Sequence, residues 1–227
     1  MNPSEFNAYK SRYRSAIQKV LADSEKGRLD EAGFPAYSHP NPIINWLFWQ
    51  RIRIAMKHIE HTAPYDIILD FGCGSGVMLP FLSQQGKCVT AVDIDLLPLE
   101  LVKEHIPLAS NVTVMGSHQT PLSELMAHSF DLINALDVLE HVDDLSETLS
   151  TLINLLKPGG QLVVSGPTEN MAYQIGRKLV GPQYSGAYHE RGIVEIKDEL
   201  RKIARIEHIA TLYQPAPLFE VFAARAL

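Results

Sequence analysis

The chain reads Ile-Leu-Asp-Phe-Gly-Cys-Gly-Ser-Gly over residues 68–76, an apolar run that ends in an acid and a glycine-rich turn. An apolar run of this length, bounded by glycines, is typical of a parallel strand at the centre of a sheet. In the turn, glycines without Cβ atoms let backbone N–H groups come close to a ligand. The pattern therefore predicts a strand, turn and helix that bind a nucleoside-type cofactor.

The spacing of these glycines narrows the cofactor. They follow G-x-G-x-G, and Val77 stands where the dinucleotide fingerprint would have its third glycine. A nicotinamide or flavin cofactor bound through its pyrophosphate is therefore the weaker interpretation. Because the turn opens a helix, its N–H groups would still suit a smaller anion such as a carboxylate.

Composition limits the class of protein and its partners. The 227 residues fit one α/β domain with extra elements, and 46% hydrophobic residues are ample for a core. A net charge of −6 and a pI near 5.8 argue against nucleic acid and favour a small-molecule substrate. The first 13 residues lack an apolar signal core, and no run reaches the roughly 18 apolar residues that span a bilayer. We expect a soluble protein with no stable membrane insertion.

The cysteines indicate a reducing compartment. The chain has only two, Cys73 and Cys88, which cannot make a disulfide framework. A disulfide at Cys73 would also block the close approach of a ligand to the glycine turn. We therefore expect a cytoplasmic protein.

Hydrophobic periodicity predicts the order of the other elements. Apolar residues at three- and four-residue steps predict one helix from Pro3 through Leu21 and another from Ile44 through Ile59. Asp144 and Glu147 form a capping pair for a later helix, which the Pro-Gly-Gly at 158–160 should stop. Further helices are expected at 77–85 and 96–104, and strands at 87–93, 111–115, 130–136, 161–165, 204–212 and 218–224.

The two N-terminal helices lie outside this alternating pattern. They precede the glycine turn by enough residues to form a lid or a substrate wall. Packing against the sheet edge is an equally simple use for their apolar faces. We expect residues 1–60 to belong to the same domain as the cofactor-binding core at 61–227.

A second acid is expected beside the glycine turn. Asp93 ends the next predicted strand and follows Gly76 by 17 residues. This is close to the spacing of about 20 at which an acid binds the ribose hydroxyls of a nucleotide. The alternative for Asp93 is a helix N-cap. Two acids at adjacent strand ends favour the ribose interpretation.

Four motifs in order resemble those of the class I S-adenosylmethionine-dependent methyltransferases of type 11/12, with a distant similarity to the ubiquinone-pathway O-methyltransferases. They are the residues 69–76, Val-Asp-Ile-Asp at 92–95, Phe-Asp-Leu-Ile at 130–133 continuing into Val-Leu-Glu-His-Val at 138–142, and Leu-Lys-Pro-Gly-Gly at 156–160. The resemblance implies an α/β fold: a Rossmann-like seven-stranded sheet in the order 3-2-1-4-5-7-6, with the last strand antiparallel, helices on both faces and an N-terminal helical extension. It also implies S-adenosyl-L-methionine as cofactor and S-adenosyl-L-homocysteine as product.

The resemblance further implies where the cofactor lies. The methionine portion would contact the glycine turn, the ribose would lie on Asp93 and the adenine beside Ile94. The family often has Gly-Asp-Ala after the third strand, whereas this chain has Gly-Ser-His at 116–118, so the adenine contact would come from the Ser117 hydroxyl or from backbone. The end of the fourth strand would lie near the reactive methyl group. The implied cofactor contacts are Asp70, Gly72, Cys73, Gly74, Asp93, Ile94, Ser117 and Leu136.

Two histidines are the candidates for catalysis. The sulfonium methyl is already activated, so the transfer mainly needs an aligned acceptor and the exclusion of water, and a base is optional. Where the acceptor is a hydroxyl, His141 or His189 could take its proton. His141 lies in a motif that many relatives carry whatever their acceptor, which favours a structural role. His189 follows the fifth strand, where the family often builds substrate walls, and a surface position is equally compatible.

A D-x-x-E-H cluster adds the question of a metal. Asp137, Glu140 and His141 are similar to the cluster through which ubiquinone-pathway O-methyltransferases are thought to bind a divalent ion. Magnesium prefers oxygen ligands, and a histidine fits it less well. We therefore expect no metal in this site.

The sequence thus predicts an enzyme that transfers a methyl group from S-adenosylmethionine to a small-molecule acceptor by in-line displacement. Two alternatives remain, a methyltransferase acting on a protein or a lipid-linked substrate, and a non-catalytic cofactor-binding protein. The intact glycines and both acids argue against the second. Whether oxygen, nitrogen or carbon receives the methyl, and the oligomeric state, are left open by the sequence.

Overall fold

A computed structural model describes residues 1–23, 37–118, 121–168, 192–213 and 217–227. Within these ranges the helices and strands alternate much as the sequence predicts. The helices are α1 (Pro3–Asp23), α2 (Pro42–Thr62), α3 (Leu79–Gln85), α4 (Leu97–Lys103), α5 (Leu145–Leu155) and α6 (Ile193–Leu200). The strands are β1 (Tyr65–Phe71), β2 (Gly86–Asp93), β3 (Val112–Gly116), β4 (Phe130–Leu136), β5 (Leu156–Pro167), β6 (Ala204–Leu212) and β7 (Phe219–Ala226).

These seven strands form one sheet in the order β3-β2-β1-β4-β5-β7-β6. The pairs from β3 through β5 are parallel, and β7 is antiparallel to both β5 and β6. The predicted strand order and the antiparallel last strand are confirmed. Since β1 pairs with β2 on one side and β4 on the other, the carboxyl ends of these three strands meet at one edge of the sheet.

The central strands are apolar on both faces, because helices cover both. Neighbouring residues of β1 alternate between two hydrophobic clusters: Ile68 packs on the side of α1 to α4, and Leu69 on the side of α5 and α6. This two-sided burial explains why the strand reads as a continuous apolar run. It also places Asp70, near the carboxyl end of β1, in a poorly solvated position.

The boundary between α5 and β5 differs from the prediction. The helix ends at Leu155, and β5 starts at Leu156, before the Pro-Gly-Gly that was expected to stop the helix. Leu156 pairs with Phe130, but the next pairing joins Gln161 to Leu132, so the residues between them bulge from the ladder. A Cβ at Gly160 would lie 2.9 Å from the Phe130 carbonyl oxygen, so this bulge requires a glycine.

Two smaller predictions concern helix starts. The Asp144 side chain accepts a hydrogen bond of 2.8 Å from the Glu147 N–H, which confirms the predicted cap of α5. Helix α3 begins at Leu79, two residues later than expected, because Val77 and Met78 still belong to the turn.

The N-terminal helices share the core of the sheet. Trp49 of α2 is 1% exposed, and its ring meets those of Phe6, Tyr13 and Tyr37 at centroid distances of 6.0, 6.1 and 5.5 Å. Packing onto the core is therefore one use of these helices, and their role as a lid stays a prediction. Among the described helices, none is long and apolar enough to cross a membrane.

We predict that Trp49→Ala lowers the free energy of unfolding by about 3–5 kcal/mol, because it removes a large ring from a filled core. Trp46→Ala is the matched control. Its side chain is 49% exposed, so we expect a cost of about 1 kcal/mol or less. Urea unfolding followed by circular dichroism measures both. Equal effects would show that the N-terminal helices are not part of this core.

Candidate active site

The glycine turn after β1 joins three strand ends. Gly72 has a φ of +71°, which favours glycine, and its N–H donates a 2.8 Å hydrogen bond to the Val92 carbonyl of β2. A Cβ at Gly72 would lie 2.2 Å from the side chain of Val138, which follows β4. Only glycine therefore fits between β2 and the end of β4, and the turn presents its backbone at the carboxyl edge of the sheet.

Asp93 lies against this turn. Its Oδ2 accepts a 2.7 Å hydrogen bond from the Gly74 N–H, and its Oδ1 accepts one of 3.1 Å from the Asp95 N–H. The first turn of α4 is bound by Asp95 instead, whose Oδ1 accepts from the Leu97 N–H at 2.9 Å. Asp93 is thus not the cap of α4. Its carboxylate stands beside the glycine turn, as the ribose interpretation requires.

Asp70 is the buried acid of the site, with 2% of its surface exposed. Its Oδ1 accepts a 2.7 Å hydrogen bond from the Asn134 Nδ2 of β4. Its Oδ2 is buried and has no hydrogen-bond partner among the described residues. Burial raises the pKa of Asp70 to about 7; the bond from Asn134 opposes this rise and the nearby Asp93 adds to it. A buried carboxylate oxygen in this state suits a cationic ligand.

The other predicted cofactor contacts lie at the same edge. Ile94 follows Asp93 directly, and its side chain is 71% exposed. The Ser117 N–H donates to the Asp93 carbonyl at 2.9 Å, which places Ser117 beside it. Leu136 ends β4 and is half-buried. Cys73 is buried in the turn, and this burial raises the pKa of its thiol.

Helix α1 contacts the glycine turn directly. The Tyr13 hydroxyl donates to the Ser75 carbonyl and lies 3.1 Å from the Ser75 Oγ. The Tyr9 hydroxyl donates to the Val77 carbonyl. These bonds hold the far side of the turn to the N-terminal extension. The sequence predicted an apolar face for α1, but it gave no sign that two hydroxyls on that face would bind the turn.

A charged pair lies at the end of β4. Asp137 follows the strand with a φ of +54°, and its N–H donates to the Ser165 carbonyl at 3.0 Å. Its Oδ1 accepts a 3.1 Å hydrogen bond from the Ser165 hydroxyl. Its Oδ2 lies 2.8 Å from Nε of Arg51, which comes from α2. The pair joins the N-terminal extension to the carboxyl ends of β4 and β5.

Sequence reasoning missed Arg51. The guanidinium carbon lies 4.7 Å from the ring centroid of Phe48 and 4.9 Å from that of Phe219, so it makes a cation–π contact with each ring. Burial raises the pKa of the Tyr37 hydroxyl, and the nearby Arg51 opposes that rise. A signal was present, because position 51 falls on the apolar face of α2 between Phe48 and Ala55. A charge on such a face indicates a buried partner.

The candidate catalytic and metal-binding residues that the structure describes do not converge. His141 is exposed on a short 3₁₀-helix (Leu139–His141), whereas Glu140 of the same turn is buried. Asp137 faces Arg51 instead. Within the ranges that the structure covers, no group of three or more His, Cys, Asp or Glu side chains is arranged to hold a metal ion. His189 lies outside the described residues.

Known proteins with this sequence pattern identify the family. The family described as a methyltransferase domain matches residues 8–212. A ubiquinone biosynthesis O-methyltransferase from Pseudomonas fluorescens is 32% identical over 175 residues, which cover 75% of this chain and 70% of the relative. The chain belongs to the class I S-adenosylmethionine-dependent methyltransferases. The same enzyme from Pseudomonas putida is 31% identical to this methyltransferase over 192 residues, 83% of this chain and 77% of the relative.

Solved structures share the fold of this methyltransferase. The N-methyltransferase NodS from Bradyrhizobium japonicum WM9, in complex with S-adenosyl-L-homocysteine, superposes with a TM-score of 0.59 at 17% identity, covering 95% of this chain and 98% of NodS. Magnesium protoporphyrin IX methyltransferase from Synechocystis PCC 6803 gives 0.60 at 19% identity, covering 92% of this chain and 100% of that one. The resemblance stated from the sequence motifs is confirmed.

We predict that Asp70 makes the stability of this methyltransferase fall as pH rises. Its folded-state pKa of about 7 exceeds the ordinary 3.8, so between these values the folded state holds a proton that the unfolded state releases. Raising the pH through this window therefore destabilises the fold, and Asp70→Asn should be the more stable protein above it, by at most about 4 kcal/mol. Urea unfolding at a series of pH values measures the difference.

Asp66→Asn is the control for this experiment, because Asp66 is an exposed acid of the same strand that pairs with Lys87. Its unfolding free energy should follow that of the unsubstituted protein across the window. Parallel profiles for Asp70→Asn and the unsubstituted protein would contradict the assignment of the raised pKa.

Proposed function

We propose that this methyltransferase transfers the methyl group of S-adenosylmethionine to a small-molecule acceptor by in-line displacement. The observation that carries the proposal is the buried Oδ2 of Asp70, which lies beside a glycine turn and has no partner among the described residues. A buried acceptor of this kind fits the ammonium of a methionine moiety. The composition, which is acidic overall, supports a small molecule over nucleic acid.

Different residues of the carboxyl edge would contact different parts of the cofactor. Asp70 would accept from the ammonium, and the backbone of Gly72, Cys73 and Gly74 would lie against the methionine chain. Asp93 would accept from the ribose hydroxyls. The exposed side chain of Ile94 and the polar Ser117 would meet the adenine, and Leu136 would face the sulfur end.

When bound, the cofactor supplies an activated methyl group on a sulfonium. The protein then has to hold the acceptor in line with that methyl and to keep water away. We propose that α1 and α2 serve as the wall that excludes water, since α1 binds the glycine turn and α2 reaches the end of β4. His141 and His189 stay candidates for the base; the exposure of His141 favours a structural role.

The compartment is proposed on the cysteines. Both Cys73 and Cys88 are free thiols, although Cys88 is exposed. Exposed free thiols persist in a reducing environment. We therefore propose that the enzyme works in the cytoplasm.

Labelled methyl transfer tests the function. The enzyme is incubated with methyl-tritiated S-adenosylmethionine and the ultrafiltered small-molecule fraction of a cell extract, and we expect label in the small-molecule products. Adding EDTA should leave the rate unchanged, since no metal is proposed. Label only in precipitated protein or in the lipid extract would favour the alternative substrates, and a reversible loss with EDTA would show a metal requirement.

We predict that Asp93→Ala weakens binding of S-adenosylmethionine by at least about tenfold, because it removes a charged acceptor of two hydroxyl hydrogen bonds. Calorimetric titration measures the affinity. Asp95→Ala is the matched control. Asp95 lies two residues from Asp93, and among the described residues its side chain accepts its hydrogen bond from the Leu97 N–H. Unaltered affinity in a folded Asp93→Ala protein would show that the ribose lies elsewhere.

A further inference from the structure

The pair of Arg51 and Asp137 is a charged feature of the carboxyl edge that the proposed cofactor contacts do not use. The side chains of Arg51 and Asp137 are 7% and 16% exposed, so both charges are largely removed from water. Removing an ion pair from water costs several kcal/mol per ion, which attraction within the pair only partly offsets. A buried pair of this kind is therefore weak evidence of stabilisation and better evidence of a functional position.

The backbone of Asp137 supports the same view. Its φ of +54° is uncommon for a residue with a side chain, because the Cβ then crowds the backbone. Three contacts hold it there: the N–H bond to the Ser165 carbonyl, the bond from the Ser165 hydroxyl, and the ion pair with Arg51. Strain that the surroundings maintain in this way is typical of functional sites.

Asp137 lies next to the glycine turn, where the cofactor would bind. The next residue, Val138, has its side chain where a Cβ of Gly72 would lie, so Asp137 is adjacent to the glycine turn. Its carboxylate has about four lone-pair directions, of which the Ser165 hydroxyl occupies one, while Arg51 pairs with Oδ2 by charge. The remaining directions can accept a hydrogen bond from a ligand at the carboxyl edge. The Arg51 guanidinium carbon also contacts the rings of Phe48 and Phe219, at 4.7 and 4.9 Å from their centroids, which helps to hold it beside Asp137.

We propose that Asp137, fixed by Arg51 and Ser165, accepts a hydrogen bond from a hydroxyl group of the methyl acceptor and aligns that hydroxyl oxygen with the sulfonium methyl. As the bond from this oxygen to the methyl carbon forms, the bond from sulfur to carbon breaks and its electron pair stays on the sulfur of S-adenosylhomocysteine. The hydroxyl proton leaves along its hydrogen bond to Asp137 and passes to solvent. This inference rests on the proposed function and names its substrate class, a neutral hydroxyl-bearing small molecule. Asp137 contacts the substrate, and Arg51 is a positioning residue that acts through Asp137.

The charge balance favours a hydroxyl over an amine. Arg51 already neutralises Asp137, so the pair offers no net negative charge to a protonated amine. Burying an ammonium against a neutralised carboxylate would leave one positive charge without compensation. A hydroxyl donates a hydrogen bond without carrying a charge, and it therefore matches the pair.

The test uses the full chain, ¹³C-methyl S-adenosylmethionine and the ultrafiltered small-molecule fraction of a cell extract. We expect Asp137→Asn and Arg51→Met to slow methyl transfer by about a hundredfold, because the acceptor is no longer aligned. Arg51→Lys keeps the positive charge and should recover part of the rate. Affinity for S-adenosylmethionine, measured by calorimetry, should stay within about twofold in all three variants, which a general loss of structure would not allow.

Two exposed ion pairs supply the controls. Asp66→Asn breaks a pair with Lys87, and Arg201→Met breaks one with Asp198, both at the surface away from the carboxyl edge. These variants should transfer methyl at the rate of the unsubstituted enzyme. If a variant of the buried pair fails to fold, Ser165→Ala decides the matter, since it removes one hydrogen bond from Asp137 and should slow transfer by about tenfold.

The outcomes separate the two proposals. If the unsubstituted enzyme labels no small molecule, the proposed function is wrong. If it labels one and the folded variants of Asp137, Arg51 and Ser165 transfer methyl at its rate, the present inference is overturned while the function stands. Carbon-13 spectra identify the labelled atom: an O-methyl product supports the inference, and an N-methyl or C-methyl product overturns it.

Discussion

Desolvation of Asp70 is the constraint around which the carboxyl edge is built. Parallel pairing of β1 with β2 and β4 places this carboxylate between two apolar layers, where the Asn134 amide is its one hydrogen-bond donor among the described residues. Burial raises the pKa of the group to about 7 and so disfavours its ionised form. A cationic ligand would offset that penalty. In the proposed binding mode, the fold gives up stability at the point where it would gain affinity for the cofactor.

The N-terminal extension contacts this edge of the sheet through both of its helices. Helix α1 binds the backbone of the turn through Tyr9 and Tyr13, and α2 inserts Arg51 beside Asp137. Both helices also fill the core through Trp49 and its aromatic neighbours. Packing and site formation are thus not alternatives for this segment. The apolar face that anchors it carries the polar groups that contact the turn and the strand ends.

Local patterns predicted most of the sheet, because the burial of each central strand on both faces leaves a continuous apolar run in the sequence. The family resemblance added the strand order and the cofactor contacts. The start of β5 escaped prediction, since the bulge at 157–160 lets a strand begin before a Pro-Gly-Gly that normally stops a helix. Arg51 and Asn134 escaped for another reason: their partners, Asp137 and Asp70, are 86 and 64 residues away in the sequence. Hydrophobic periodicity shows that such a polar residue falls among apolar ones, but it does not identify the residue with which it pairs.

The proposed binding site for the methyl acceptor depends on residue pairs that are far apart in the sequence, such as Arg51 and Asp137. Sequence motifs can therefore identify the cofactor without identifying the acceptor. The turn at 72–76 and the acid at 93 are local arrangements of one βαβ unit, so their spacing is visible in a single chain. The carboxylate of Asp137 is set by α2, β5 and β7 together, through Arg51, Ser165 and Phe219. A substitution in any of these elements could move that carboxylate while the cofactor turn stays intact. The acceptor specificity of this fold can therefore change while the cofactor-binding sequence motifs stay the same.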